Sequence, residues 1–250
     1  MSLRFTFPDA KEWKYLIDSL AALIDEASFV ADSEGLKLRA LDPSRIAMVD
    51  LVVPREAFED YQVEDGEVKI GVNFDDLNKV VKRGKADERI VFEVKEGRLR
   101  VRLLGKAERS FSLPLIDIVG EELPTPKVTF TVTAKMLSDT LRDSLTDAEL
   151  VSDYIRFVGD EQGLTLQAKS DKGEVEARFT LEAGSLLDYE VSEPASALYN
   201  LGYLTDILKK AVRVSDIVTV EFATNKPLCL TFDITGGGTL KYYLAPSMEA

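Results

Sequence analysis

Most of this chain is written in short runs where apolar and polar residues alternate, and four stretches switch to helical spacing. The alternating runs include "GLKLRALD" (35–42), "RIAMVDLVV" (45–53), "RIVFEV" (89–94), "RLRVRLL" (98–104), "YIRFVG" (154–159), "GEVEARFTL" (173–181), "IVTVEFA" (217–223) and "PLCLTFDIT" (227–235). A period of two places every second side chain on one face, so these predict strands with one face buried. Helices are predicted over 9–25, 73–84, 134–146 and 200–214. Their apolar stripes are Trp13, Leu16, Ile17, Leu20 and Ile24; Phe74, Leu77, Val80 and Val81; Met136, Leu137, Leu141 and Leu145; and Leu201, Leu204, Ile207, Leu208 and Ala211.

The order of elements repeats. "GLKLRALD" returns as "GLTLQAKSD" (163–171), and the match extends upstream in the same register, Phe29 with Phe157, Val30 with Val158 and Asp32 with Asp160. "LNKVVKRGKADERIV" (77–91) is likewise echoed by "LTDILKKAVRVSDIV" (204–218). Similar elements in the same order mean a duplicated domain. The expected division is 1–117 and 129–250, joined by a connector at 118–128 that includes the aperiodic, proline-bearing "GEELPTPKV".

The helices carry cations away from their apolar stripes: Lys11 and Lys14 on the first, Lys79, Lys82 and Arg83 on the second with Lys85 just beyond, Lys135 and Arg142 on the third, and Lys209, Lys210 and Arg213 on the fourth. Acids, among them Asp18 and Asp143, are interleaved, as on an ordinary solvated helix face. Against a net charge of −13, however, the basic pair recurs at Lys82-Arg83 and Lys209-Lys210 within the duplication. Such faces, if they met on one surface, would hold phosphates without reading bases.

Composition narrows the chemistry. The chain has no histidine, which removes the usual general base and the commonest transition-metal ligand. Its one cysteine, Cys229, forms no intrachain disulfide and suits a reducing compartment. No apolar run reaches membrane-spanning length, and "MSLRFTF" reads as a strand rather than a leader. "ITGGGT" (234–239) joins two strands and lacks the ending of a phosphate-binding loop, so it reads as a hairpin turn. Asp32, Asp42, Asp50 and Asp171 match no coordination loop, and no nucleophile motif is present. No enzyme, cofactor or metal site is expected.

On the strings "LIDEASF", "LRALDPSRIAMVDL", "IGVNFDDLNKVVKRGKADE", "SFSLPLID" and "LKYYLAPSM", the chain resembles the DNA sliding clamps of the proliferating cell nuclear antigen family, archaeal members above all. The likeness runs along essentially the whole chain. It implies an α+β, duplicated sliding-clamp fold: two similar domains, each with two helices on one face of antiparallel sheets, assembling into a closed ring of three. Helices would line the hole and the ring would encircle double-stranded DNA without sequence preference.

The resemblance also implies subunit pairing through strands near 109–115 (Arg109, Phe111, Leu113, Leu115) and 174–181 (Val175, Ala177, Phe179, Leu181). DNA polymerase, clamp loader, flap endonuclease and DNA ligase would dock through short hydrophobic or aromatic peptides. The matching positions are Leu41, Arg45, Ile118, Val119, Leu123, Pro227, Tyr243, Ala245 and Pro246. Of these, Tyr243 is also marked by periodicity, because Tyr242 and Tyr243 cannot both face one core. A cytoplasmic, nucleoid-associated location follows by the same resemblance, nuclear in a eukaryote. Whether the ring is a homotrimer or a heterotrimer stays open. So do two other readings, a specialised subunit of a mixed or checkpoint-type ring and a protein-interaction scaffold that does not touch DNA.

Overall fold

A computed structural model of the chain describes residues 3–64, 66–120 and 123–248. The chain divides into two compact units, Met1–Pro43, Val49–Leu123 and Asp233–Leu240 in one, Ser44–Met48, Pro124–Phe232 and Lys241–Ala250 in the other.

The first half of the chain runs β1 (Leu3–Phe7), α1 (Ala10–Leu20), β2 (Glu26–Asp32), β3 (Gly35–Leu41), β4 (Ala47–Pro54), β5 (Asp60–Val63), β6 (Val68–Asn73), α2 (Phe74–Val81), β7 (Arg89–Lys95), β8 (Arg98–Leu104) and β9 (Glu108–Pro114). The strands β5, β1, β7, β8 and β9 form one antiparallel sheet in that order, and β6, β2, β3 and β4 lie side by side. The second half repeats the plan: β10 (Val132–Leu137), α3 (Ser138–Ala148), β11 (Tyr154–Asp160), β12 (Gly163–Ser170), β13 (Gly173–Phe179), β14 (Asp188–Val191), β15 (Ala195–Asn200), α4 (Leu201–Ala211), β16 (Ile217–Phe222), β17 (Leu228–Ile234) and β18 (Gly238–Leu244). Here β15, β11, β12 and β13 form a sheet, and β14, β10, β16 and β17 lie side by side.

The repeated string is a repeated turn. Asp32 Oδ1 accepts from the amides of Glu34 and Gly35 at 2.8 and 3.2 Å; Asp160 Oδ1 accepts from Gln162 and Gly163 at the same two distances. Gly35 and Gly163 sit at φ 146° and 148°, where a Cβ would come within 2.2 Å of the Val53 and Phe179 carbonyl oxygens respectively. A side chain is therefore excluded twice, for one reason. Tyr61 and Tyr189 each donate to the carbonyl of the turn glycine at 2.7 Å. Burial pushes both phenols up to about 12.

Each unit packs its two helices together and onto its own strands. In the first, Trp13 of α1 is 1% exposed and sits with Phe5, Phe7, Phe58 and Phe92, its ring centroid 4.9 Å from that of Phe92. Phe157, Tyr199 and Phe222 play this part in the second, meeting edge to face at 5.5 and 5.9 Å. Asn73 and Asn200 cap α2 and α4 through side chains that accept from Asp76 and Tyr203 amides.

The third helix departs from expectation. Residues 132–137 are strand, with Val132, Ala134 and Met136 buried and Thr133 and Lys135 half-exposed, and the helix begins only at Ser138. The apolar Met136 and Leu137 mimicked a helical stripe, but Leu137 is the N-cap residue and 45% exposed. No proline or acidic cap marks this strand-to-helix junction, whereas Pro8 and Asp9 mark the one before α1. The other helices are shorter than predicted at both ends, because their flanking residues form turns and caps.

Candidate nucleic-acid interface and partner surfaces

The duplicated basic pairs fall at equivalent helix ends. Lys82 and Arg83 follow the last turn of α2 and are exposed, as is Lys85 in the loop after them. Lys209 and Lys210 lie in the last turn of α4, Lys209 exposed and Lys210 half-buried, with an exposed Arg213 just beyond. Cations there also oppose the partial negative charge of the helix C-terminus.

The remaining candidates differ in what holds them. Lys11 is exposed on the first turn of α1 and lies 5.7 Å from the centre of the Tyr15 ring, while Lys14 is half-exposed. Lys79 is gripped by two carboxylates on its own helix, Asp75 at 2.6 Å and Asp76 at 3.4 Å, which hold its ammonium above the usual lysine range. Arg142 pairs with the adjacent Asp143 at 2.7 Å. Lys135 is not on a helix face at all: it sits on β10 between Asp188 of β14 and Thr219 of β16. Asp18, expected among the solvated acids, is 7% exposed. It accepts from Asn78 Nδ2 at 3.0 Å and lies 3.3 Å from Lys82 Nζ, so it ties α1 to α2 and engages one of the duplicated cations. The other helix pair has a polar tie of its own, from the Thr205 hydroxyl to Glu149 at 2.6 Å.

The partner candidates are divided between the two units. In the first unit, Val119 is 92% exposed and Ile118 37%, while Leu41 and Leu123 are half-buried. The start of the connector is pinned where Ile116 donates its amide to Gly71 at 3.0 Å. Its middle is held where the Leu123 carbonyl accepts from Arg39 Nη1 at 2.9 Å, and Arg39 is in turn held by Asp50 at 3.0 Å. Sequence reasoning overlooked Arg39 and weighed Asp50 only as a metal ligand, setting it aside; the one available signal for this pair was a lone acid inside the apolar run "AMVDLVV".

In the second unit, Arg45 is exposed at φ 59° beside Ile46, whose carbonyl accepts from the Ala245 amide at 2.9 Å. The same tail continues to Ser247, which donates to Leu198 on β15 at 2.7 Å. Tyr242 is 1% exposed while Tyr243 on the opposite face is half-exposed, as strand alternation requires. Pro227, Ala245 and Pro246 are half-exposed.

The two strands expected to pair across subunits are both sheet edges. β9 ends its sheet beyond β8, and β13 ends its sheet beyond β12. Arg109, Phe111 and Leu113 are half-exposed on the first, and Val175 and Ala177 on the second. Phe179 is 4% exposed and packed within its own unit. Leu115 and Leu181 lie just past the strand ends, Leu181 being 54% exposed.

A duplicated α+β chain, each unit with two helices packed on antiparallel strands, defines the class of duplicated clamp-fold proteins. Residues 3–117 match the family model for the proliferating cell nuclear antigen N-terminal domain, and 125–247 match that for its C-terminal domain. The chain is 59% identical to a DNA polymerase sliding clamp of Thermofilum pendens over 99% of its own length and 100% of that protein. It is 47% identical to DNA polymerase sliding clamp 1 of Pyrobaculum aerophilum, over 98% of each. Among solved structures, proliferating cell nuclear antigen from Thermococcus kodakaraensis superposes with a TM-score of 0.93 at 34% identity, over 98% of this chain and 100% of that one. The chain belongs to the proliferating cell nuclear antigen family of DNA sliding clamps.

Proposed function

We propose that this sliding clamp holds duplex DNA through the cations at the ends of α2 and α4, Lys82, Arg83, Lys85, Lys209, Lys210 and Arg213, with Lys11 and Lys14 in support. The observation carrying this is the recurrence of the basic pair at the same helix position in both units of a strongly acidic chain. Long, mobile side chains that neutralise phosphates without reading bases allow a ring to slide. Lys79 and Arg142 contribute less, since carboxylates on the same helix already neutralise them, and Lys82 shares part of its charge with Asp18.

Polymerase, clamp loader, flap endonuclease and ligase are proposed to dock by short hydrophobic or aromatic peptides at Leu41, Ile118, Val119 and Leu123 in one unit and Arg45, Pro227, Tyr243, Ala245 and Pro246 in the other. The exposed apolar connector and the outward Tyr243 support this reading. No catalytic role is proposed, and the cytoplasm, on the nucleoid, is the proposed location.

The test is topological. Clamp loaded on a nicked circular plasmid should stay bound through a high-salt wash and be lost when the plasmid is linearised. Equal retention on both forms would mean ordinary binding rather than encirclement.

A further inference from the structure

The two helix pairs follow one plan, but the groups set against their duplicated lysines differ. Asp18 stands eight residues past the first residue of α1, and Thr146 stands eight past the first residue of α3. On the partner helices, Asn78 and Thr205 each stand four residues past the start, and Lys82 and Lys209 each stand eight past it. Where the first pair has a carboxylate, the second therefore has a hydroxyl.

That carboxylate is built into the interior. Asp18 and Asn78 are both buried, and the Asn78 amide turns its nitrogen to Asp18 Oδ1 at 3.0 Å. The orientation leaves Asn78 Oδ1 buried without a hydrogen-bond partner among the described residues. An unpaired buried oxygen is costly, and the opposite orientation would set it against the acid, so the amide is committed to a charged neighbour. A buried carboxylate in turn needs a cation. Lys82 Nζ supplies it from 3.3 Å while half of the lysine side chain stays in solvent. Nothing similar restrains Lys209. Thr146 is exposed and donates its hydroxyl to the Arg142 carbonyl at 2.9 Å, Thr205 donates to Glu149, and Lys209 carries no ion pair among the described residues.

Resting on the reading of Lys82 and Lys209 as phosphate contacts, we infer that Asp18 is a positioning residue that keeps Lys82 partly neutralised, so that the two units hold the duplex unequally, firmly at α4 and weakly at α2. A Lys82 that leaves a phosphate returns to Asp18 rather than to water alone, and a contact with a ready alternative breaks easily as the duplex moves past. Lys209 gives its whole charge to a phosphate and releases a counterion in full. The duplication thus supplied two equal cations, and one buried acid made them different.

The experiment measures binding of a labelled duplex to the full-length protein by anisotropy, from about 50 to 200 mM salt, and reads the slope of log K against log salt. Asp18→Asn keeps an oxygen for the Asn78 amide and removes the charge. It should steepen the slope by up to about 0.9 for each subunit that engages the duplex. The steepening should vanish in Asp18→Asn combined with Lys82→Ala, whose slope should match that of Lys82→Ala alone. A merely structural role for Asp18 would not route its effect through Lys82. Thr146→Asp tests the same idea at an exposed position, where folding is not at stake. It should flatten the slope, and add nothing once Lys209 is alanine. An Asp18→Asn slope that is unchanged or shallower, a steepening that survives the loss of Lys82, or a Thr146→Asp variant with the wild-type slope overturns the proposal and leaves the DNA reading intact. A wild type whose binding ignores salt overturns both.

Discussion

Alanine at Arg83 and Lys209 should weaken the salt dependence of duplex binding, while alanine at Lys79 should leave it nearly unchanged, though all three are exposed cations on a helix or just beyond its end. Arg83 and Lys209 carry no ion pair among the described residues and can give their full charge to a phosphate. Lys79 has carboxylates at 2.6 and 3.4 Å, so its local charge is already negative. Each phosphate contact contributes about 0.9 to the slope of log K against log salt, so the double variant loses up to about 1.8 for each subunit that engages the duplex. Across a fourfold salt range, from about 50 to 200 mM, every lost contact removes a factor of about 3.5 in salt attenuation. Anisotropy of a labelled duplex titrated with each variant over that range reads the slope directly. A Lys79→Ala slope reduced as far as that of the double variant, or a double variant with the wild-type slope, would refute the assignment.

Further outcomes test the fold and the other surfaces. Gly163→Ala should cost about 1–3 kcal/mol or more, read by urea unfolding, since φ is 148° and a Cβ would meet the Phe179 carbonyl at 2.2 Å. Trp13→Ala should cost about 3–5 kcal/mol in the same assay, because a fully buried ring leaves its four aromatic neighbours around a void. Tyr243→Ala should weaken binding of an aromatic partner peptide without lowering stability, whereas Tyr242→Ala should lower stability; equal stability losses would place Tyr243 in the core. Burial pushes the Cys229 thiol from 9.0 up to about 11, so the folded chain holds its proton longer than the unfolded one. Its contribution to stability is present below pH 9.0 and is lost as pH rises through about 11. A Cys229→Ala variant should lack this alkaline loss, and the wild-type thiol should resist alkylation at neutral pH until the protein unfolds.

Local chemistry made much of the architecture legible. The Asp–x–x–Gly turns at Asp32 and Asp160 were visible as a repeat, because only glycine tolerates the backbone there and only a short acceptor reaches both amides. The α1, α2 and α4 stripes and the outward Tyr243 were visible for a similar reason, since periods of 3.6 and two are set by the backbone itself. The start of α3 was not, because Met136 and Leu137 satisfy either period over so short a span, and it is pairing with β14 and β16 that makes residues 132–137 a strand.

Charge was the least readable property. Composition located every lysine and arginine on the chain, but their availability depends on neighbours that pairing and packing bring in. Asp18 is drawn into the core between α1 and α2 and engages Lys82, and Arg39 meets Asp50 across the sheet to hold the middle of the connector. Edge status is likewise absent from a strand's own residues, since β9 and β13 alternate like their covered neighbours. The sequence by itself determined the duplication, the strand and helix periods and the stock of charges, all consequences of near-neighbour geometry. Only the tertiary structure decided which cations are neutralised, which acids are buried and which two edges stay open, because each depends on residues far apart in the chain coming within a few ångströms.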